Sequence, residues 1–201
     1  AWLGLARVQR LLGKCAEANE TLTRARRLLP DEDPSAAAES ALLCLEKGDL
    51  EGATQHIDAA SIRGEGAIVS YVRGNIAANQ GHLKTAQSHF NEAIEMDPTH
   101  VRARLNRTSI HMASGNAQGA LDDANILLEL APGLALAQLR RAEANMMLSN
   151  WDEAKGDLEQ IVEAAPHHPH ALTQLAACYI SMERPEKAEV PLNEALRLAP
   201  D

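Results

Sequence analysis

A small apolar residue recurs along the chain at an almost constant interval. The alanines of this column are separated by 35, 33, 34, 34 and 34 residues. They are Ala18, Ala53, Ala86, Ala120, Ala154 and Ala188. Prolines keep the same interval at Pro98, Pro132, Pro166 and Pro200, and Pro30 lies two intervals before Pro98. A fixed period of this length indicates a repeated supersecondary structure, so the chain is interpreted as six tandem repeats.

A second column, five residues before each alanine, predicts a turn inside every repeat. Its members are Gly13, Gly48, Gly81, Gly115, Ser149 and Glu183. Because glycine leaves the helical conformation easily and proline blocks further helix, each repeat is predicted to contain a helix A, a turn and a helix B. Pro185 suits the first turn of the last B helix, where its missing N–H would have no intrahelical partner. The predicted A helices are 1–13, 35–47, 67–80, 101–114, 135–148 and 169–182, and the B helices are near 16–29, 50–61, 83–96, 117–131, 151–165 and 185–199.

The second repeat departs from this regularity at both of its ends. It is preceded by the acidic residues 31–33 and Pro34, runs one residue out of phase, and ends on Arg63-Gly64-Glu65-Gly66 instead of a proline. Any bend or loosening is expected here. The period resumes at once, so residues 1–201 are expected to form one domain. The expected repeats are about 1–32, 33–66, 67–100, 101–134, 135–168 and 169–201, and the start at Ala1, without methionine, favours a piece of a longer protein.

The motif residues of these repeats resemble the tetratricopeptide repeat family. The matching residues are Trp2, Leu5, Ala6, Gln9, Ala18, Leu22 and Pro30 in the first repeat, Gly74, Ala86, Phe90 and Pro98 in the third, and Leu172, Leu175, Ala176, Tyr179, Ala188, Leu192 and Pro200 in the sixth. The resemblance implies an all-α, right-handed α-solenoid of antiparallel helix hairpins. It also implies a concave groove lined by the A helices, and a scaffold that binds other proteins.

The composition narrows the classes of function. The net charge of -9 argues against nucleic acid as a partner, since phosphate contacts need clustered cations. No apolar run is long enough to cross a membrane. Cys15, Cys44 and Cys178 form no CxxC pair, so free and partly buried thiols are expected. No catalytic motif or phosphate-binding loop is present, so neither enzymatic activity nor a cofactor is expected.

An arginine stands where the family usually has an apolar residue in three consecutive repeats. Arg73, Arg107 and Arg141 are each 34 residues apart, and Asp123 and Asp157 recur on the following B helices. An unpaired guanidinium at a packed position would be costly. The favoured interpretation is therefore a structural ladder of Arg–Asp pairs, with a ligand role as the alternative.

The expected binding site lies on the A-helix residues that point away from the B helices. Its members are Tyr71, Asn75, Arg102, Asn106, Met112, Leu136, Arg140 and Met147. Some members of the family hold a peptide's terminal carboxylate with Asn and Lys or Arg side chains of successive A helices, and Asn75, Asn106 and Arg140 occupy matching places. Tyr71 and Leu136 stand where lysines would be expected, so this clamp would be incomplete, with Arg102 as a substitute.

Two further groups of side chains leave alternatives open. Met112, Met146 and Met147 would form either an adaptable apolar floor or a filling for irregular core gaps. The segment 167–170, which contains three histidines, is interpreted as an ordinary polar loop rather than a metal site, because no cysteine or carboxylate lies near it in sequence. His82 and His89 are interpreted as surface residues.

The leading hypothesis is a non-catalytic scaffold that binds an extended peptide or a partner helix in its concave groove. The alternative is the regulatory or targeting arm of a larger enzyme or of a secretion, pilus or polysaccharide-export component. Self-association through uncapped ends is a further expectation, since repeat arrays normally need polar caps. Neither membrane insertion nor nucleic-acid binding is expected, and the compartment stays open between cytoplasm and bacterial periplasm.

Overall fold

The described residues of the computed structural model, 1–29, 33–61 and 66–199, form α-helices joined by short turns, without a β-strand. The helices are α1 (Trp2–Leu11), α2 (Cys15–Arg26), α3 (Pro34–Glu46), α4 (Leu50–Ser61), α5 (Ala67–Asn79), α6 (Leu83–Met96), α7 (Val101–Ala113), α8 (Ala117–Leu130), α9 (Ala135–Met147), α10 (Trp151–Ala164), α11 (Pro169–Ser181) and α12 (Pro185–Leu198). Odd-numbered helices are the A helices and even-numbered ones the B helices. The predicted all-α class and the alternation of A and B helices are confirmed.

The predicted turn column adopts the left-handed backbone conformation throughout. The φ angles are 72° at Gly13, 75° at Gly48, 77° at Gly81 and 72° at Gly115, and also 62° at Ser149 and 57° at Glu183. The last two residues carry a Cβ and are therefore strained in this region. As predicted, Pro185 opens α12 in its first turn.

The chain divides into two compact units, Ala1–Ala103 and Arg104–Asp201, and the boundary falls within α7. In the N-terminal unit α1 packs on α2, α3 on α4 and α5 on α6, and α3 contacts both α1 and α5. In the C-terminal unit α9 packs on α8 and α10, and α11 packs on α10 and α12. The expectation of one domain over 1–201 stays a prediction.

The alanine column forms the centre of the packing in both units. Five of its six members have no exposed surface, and Ala188 is 2% exposed. In α5, Gly74 has the same function, because a Cβ at that position would lie 2.5 Å from Cε1 of Phe90 in α6. Phe90 is itself fully buried. The small residues therefore permit the close helix approach that the sequence predicted.

The three cysteines are free thiols, with Cys15 and Cys44 half-buried and Cys178 buried. Burial raises the pKa of the Cys178 thiol to about 11. Because the thiolate is the reactive form, this cysteine is a packing residue of the C-terminal unit.

Two of the irregular features of the second repeat lie outside the described residues. These are residues 30–32 at its start and residues 62–65 at its end, and Pro200 of the proline series lies outside them as well. Asp33 is described, and its Oδ1 accepts hydrogen bonds from the backbone N–H groups of Ser35 and Ala36, each at 3.0 Å. Asp33 therefore caps α3, and Pro34 occupies the first turn of that helix.

Candidate partner-binding surfaces

The predicted Arg–Asp ladder is present in two consecutive hairpins of the C-terminal unit. Arg107 donates from Nε to Oδ2 of Asp123 at 2.8 Å and from Nη2 to Oδ1 at 2.6 Å. Arg141 and Asp157 repeat this geometry with the same two distances. Both carboxylates are buried. Bidentate pairs with a buried acceptor are strong and geometrically specific, so the structural interpretation of these arginines is confirmed.

Asp123 has additional partners that the sequence interpretation missed. Arg104 donates from Nη1 to its Oδ1 at 3.1 Å, and Nε2 of His111 lies 3.9 Å from its Oδ2. Burial lowers the pKa of His111, although the nearby Asp123 charge raises it in part. In the third repeat, His89 occupies the position equivalent to Asp123, and its Nδ1 lies 3.1 Å from Oε2 of Glu92.

A second ionic network, also missed, joins α1 to α3 in the N-terminal unit. Glu39 is 1% exposed, and it accepts hydrogen bonds from Nε of Arg7 and Nε of Arg10. Arg10 also donates from Nη1 to Glu46. Burial would lower the pKa of Arg10, but its hydrogen bonds and charge interactions with Glu46 and Glu39 raise it above the usual value. The sequence feature that could have indicated this network is Glu39 itself, a carboxylate inside the alanine-rich stretch of α3.

Of the site residues expected in the N-terminal unit, Tyr71 does not point away from the B helix. It is 7% exposed, and its ring centroid lies 6.2 Å from that of Phe90 in α6 and 4.9 Å from that of His100. The aromatic ring is large enough to be buried between its neighbours, so this expectation is corrected. Asn75 donates from Nδ2 to the carbonyl of Tyr71 at 3.0 Å, and both Asn75 and Arg102 are half-buried.

The expected residues of α9 in the C-terminal unit lie on one face of that helix. Leu136, Arg140 and Met147 are four and seven residues apart, which places them within about 40° around the helix axis. Leu136 is 45% exposed and Met147 is 46% exposed. We name these three residues, together with Glu143, the α9 face. In α7, Asn106 and Met112 are half-buried and about 120° apart around the axis, on the two edges of a broader face.

Arg140 already has a carboxylate partner within the chain. Its Nη1 donates to Oε2 of Glu143 at 2.7 Å, and Oε1 of Glu143 lies 2.8 Å from Nε2 of His170. Glu143 is 8% exposed, so Arg140 and His170 enclose a largely buried carboxylate. The Nε and Nη2 groups of Arg140 have no partner among the described residues and can donate to a bound molecule.

Met146 and Met147 differ in their burial, and the three histidines of segment 167–170 differ in their partners. Met146 packs against the buried cluster of the C-terminal unit, whereas Met147 is exposed. His167 lies 3.0 Å from Oε1 of Glu194, and Nδ1 of His168 accepts the backbone N–H of Ala171. With His170 on Glu143, the three imidazoles have three different partners, which supports the interpretation as a polar loop. Met147 is thus available for a partner, and Met146 fills the core.

Family models for the tetratricopeptide repeat match residues 2–67, 71–135 and 145–201. The chain belongs to the tetratricopeptide repeat family. Repeats of this family form protein–protein interaction scaffolds and are generally non-catalytic. No curated protein matches the chain, and none of the described helices combines the length and apolar character that a membrane span requires.

Several solved structures share the tetratricopeptide fold. A chain of the Cut9–Hcn1 hetero-tetramer of the APC/C is 17% identical with a TM-score of 0.81, and the match covers 100% of this chain and 40% of that one. This chain therefore spans less than half of that relative. MamA from Desulfovibrio magneticus is 16% identical with a TM-score of 0.76, covering 84% and 96% of the two chains. YrrB, described as a repeat protein with an unusual peptide-binding site, is 22% identical with a TM-score of 0.73, covering 90% and 93%.

Proposed function

We propose that the chain is a non-catalytic scaffold that binds an extended peptide or a partner helix through the exposed faces of its A helices. The single observation that carries the proposal is the α9 face, where Leu136 and Met147 present apolar side chains on both sides of the Arg140 guanidinium. Apolar burial and a charge-assisted hydrogen bond are the two contacts that anchor a peptide on a rigid surface. The similarity to YrrB supports a fold able to carry a peptide site.

A bound carboxylate would meet Arg140 through the guanidinium N–H groups that Glu143 leaves unused. Asn106 of α7, 34 residues earlier, has the same place in the preceding repeat and would contribute an amide that both donates and accepts. Met112 would add apolar contact beside it. Glu143 competes for Arg140, so the clamp is expected to contribute specificity and modest affinity. Asn75 and Arg102 are the corresponding candidates of the N-terminal unit.

The same surface would serve equally in a larger protein, as a regulatory or targeting arm. Binding to the α9 face is the physical claim common to both roles.

Affinity capture with matched baits tests this claim. The baits are the wild-type chain, the double variant Leu136→Asp/Met147→Asp, and the control Leu196→Asp. Leu196 is 59% exposed on α12, so the control adds one negative charge, of the two that the double variant adds, to an exposed apolar position outside the α9 face. Partners captured by the wild type and by the control, but reduced by about tenfold or more with the double variant, would support the proposal. Capture that the control reduces equally, or that the double variant retains, would contradict it.

A further inference from the structure

The C-terminal unit contains a crevice on its B-helix side, away from the α9 face. The crevice lies between α8 and α10, with α9 as its floor, and has a volume of about 530 Å³. Asn125 lines it from α8, the Arg141–Asp157 pair and Asn145 lie at its base, and Gly156 and Gln160 line it from α10. From Glu153 to Gln160 its α10 wall is about 10 Å long, which matches about three residues of extended chain.

The crevice recurs in the next repeat with different chemistry. Between α10 and α12, a crevice of about 680 Å³ is lined by Leu175, Tyr179, Val190 and Pro191. These residues lie 34 positions after Arg141, Asn145, Gly156 and Asp157. The fold therefore opens a cleft at this place in consecutive repeats, and the side chains decide what it can accept. The crevice beside α9 is polar, and the one beside α11 is apolar.

Side-chain amides with unused hydrogen-bonding groups surround the polar crevice. Nδ2 of Asn150 donates to Oδ1 of Asn145 at 3.2 Å, and Oε1 of Gln160 accepts from Gln138 at 2.7 Å. Among the described residues, Oδ1 of Asn150, Nε2 of Gln160 and the whole amide of Asn125 have no partner. Free amide donors and acceptors can pair with the N–H and C=O groups of an extended polypeptide backbone.

The decisive group is the amide of Asn145. Its side chain lines the crevice although the residue is only 5% exposed. The bond from Asn150 occupies its oxygen, and its Nδ2 has no acceptor in the described part of the chain. A carbonyl entering the crevice would accept a hydrogen bond from this donor.

The negative charge of the two helices that form the walls favours a basic ligand over an acidic one. The exposed carboxylates of α8 and α10 are Asp122, Glu129, Asp152, Glu153, Glu159 and Glu163. The cation on these two helices is Lys155, which already lies 3.2 Å from Asp152. Asp123 and Asp157 are neutralised by their arginines. Of the exposed carboxylates, Glu153 lines the crevice itself and has no partner among the described residues. A segment with lysine or arginine side chains would therefore have a charge beside Glu153 while its backbone lies on the amides.

We propose that the crevice between α8 and α10 binds an extended, basic segment of a partner polypeptide, with Asn145 donating to a backbone carbonyl of that segment. Gly156 leaves the room that the segment occupies, since a Cβ there would meet no atom within 4 Å. This site is distinct from the α9 face and adds a second contact of different specificity. Two weak contacts on one scaffold can give high combined affinity when a single partner reaches both.

Two soluble octapeptide libraries test the site on the full chain. In one, every second residue is Lys or Arg and the others are randomised; in the other, every second residue is Asp or Glu. Peptides retained by the immobilised protein are quantified by mass spectrometry. Wild-type protein is expected to retain the basic library and not the acidic one. In NMR spectra, the retained peptides are expected to shift the side-chain amide of Asn145 and the backbone amide of Gly156.

Gly156→Val and Asn145→Leu are the informative variants. Val190 shows that valine is accommodated at the equivalent position of α12, where it is 75% exposed, so Gly156→Val is expected to fold. Each variant should reduce retention of the basic library about tenfold or more. Gly4→Val in α1, where a Cβ would also meet no atom within 4 Å, is the matched control and should change retention less than about twofold. Leu196→Asp on α12, an exposed position outside both surfaces, should likewise leave it unchanged. The α9 face is tested separately by the partner-capture experiment, so failure of this site and failure of the proposed function are distinguishable.

The proposal is overturned if no library peptide is retained, or if the acidic library is retained equally. It is also overturned if Gly156→Val and Asn145→Leu, both shown to be folded by circular dichroism, retain the basic library as the wild type does.

Discussion

Arg141 and Asp157 form two parallel hydrogen bonds across the α9–α10 hairpin, from Nε to Oδ2 at 2.8 Å and from Nη2 to Oδ1 at 2.6 Å. The carboxylate side chain is 5% exposed and the guanidinium side chain is 33% exposed. The hydrogen bond to Asp157 is the largest influence on the pKa of Arg141 and raises it, with burial acting in the opposite direction. Asp157 therefore carries a buried negative charge, and Arg141 is the cation that stabilises it.

Removal of Arg141 from the α9–α10 hairpin should lower the free energy of unfolding more than removal of Arg107 from the α7–α8 hairpin. Arg141→Ala leaves Asp157 buried without its cation, and we expect a loss of about 2–4 kcal/mol in the free energy of unfolding. Arg107→Ala should cost about 1–2 kcal/mol, because Asp123 keeps its bond from Arg104. Urea denaturation of the two variants measures the difference. Equal losses, or losses within the range of exposed ion pairs, would contradict this description of the ladder.

Two helical glycines should respond to alanine with opposite signs. At Gly74 the new methyl group would meet the buried ring of Phe90 at 2.5 Å, so Gly74→Ala should lower the free energy of unfolding by about 1–3 kcal/mol. At Gly156 the methyl group would meet open space, and Gly156→Ala should raise it by about 0.5–1 kcal/mol through helix propensity. Thermal denaturation followed by circular dichroism measures both. A stabilised Gly74→Ala variant would show that α5 and α6 are not packed as described.

The left-handed turn before α12 offers a stabilising substitution. Glu183 has a φ of 57°, a conformation that glycine adopts without strain, so Glu183→Gly should raise the free energy of unfolding by up to about 1 kcal/mol. The matched change Glu189→Gly, at an exposed position inside α12, should lower it by about 1 kcal/mol. The two melting temperatures should therefore move in opposite directions. A shared direction would refute the assigned turn conformation.

Acidification should destabilise the N-terminal unit through His100. Burial is the main cause that lowers the pKa of this histidine, and its Nδ1 accepts the backbone N–H of Ala103 at 3.1 Å. The unfolded chain therefore binds more protons below about pH 6.5, and the free energy of unfolding should fall as the pH decreases from about 7 to 5. His100→Asn keeps a capping acceptor but does not titrate, so it should reduce the slope of the free energy of unfolding against pH. Denaturant titrations at several pH values measure it, and an unchanged slope would exclude His100 as the cause.

The repeat architecture was readable from the sequence because it depends on local chemistry repeated in register. The alanine column, the turn column and Pro185 each act within one hairpin, and so do Arg107–Asp123 and Arg141–Asp157, where the partners are 16 residues apart. These predictions are confirmed.

The sequence was less informative wherever a side chain meets a neighbouring repeat. Glu39 joins arginines 29 and 32 residues away, across the boundary where the repeat period is irregular. His170 reaches Glu143 from the following A helix, and Tyr71 is buried because its ring reaches both Phe90 and His100. The polar crevice arises partly from a missing side chain, at Gly156, and a periodic pattern of residues that are present does not indicate such a space.

The proposed function depends above all on partner binding at the α9 face. The most direct measurement is isothermal titration of the captured partner's binding segment, with a free and with an amidated C-terminus, into wild-type protein, Leu136→Asp/Met147→Asp, Asn106→Ala and Arg140→Ala, each first shown to be folded. We expect affinity losses of about tenfold or more for the double variant and for Arg140→Ala, and a smaller loss for Asn106→Ala. The loss for Arg140→Ala should be smaller with the amidated peptide. Unchanged affinity in all of these variants would contradict the claim and place the partner on another surface.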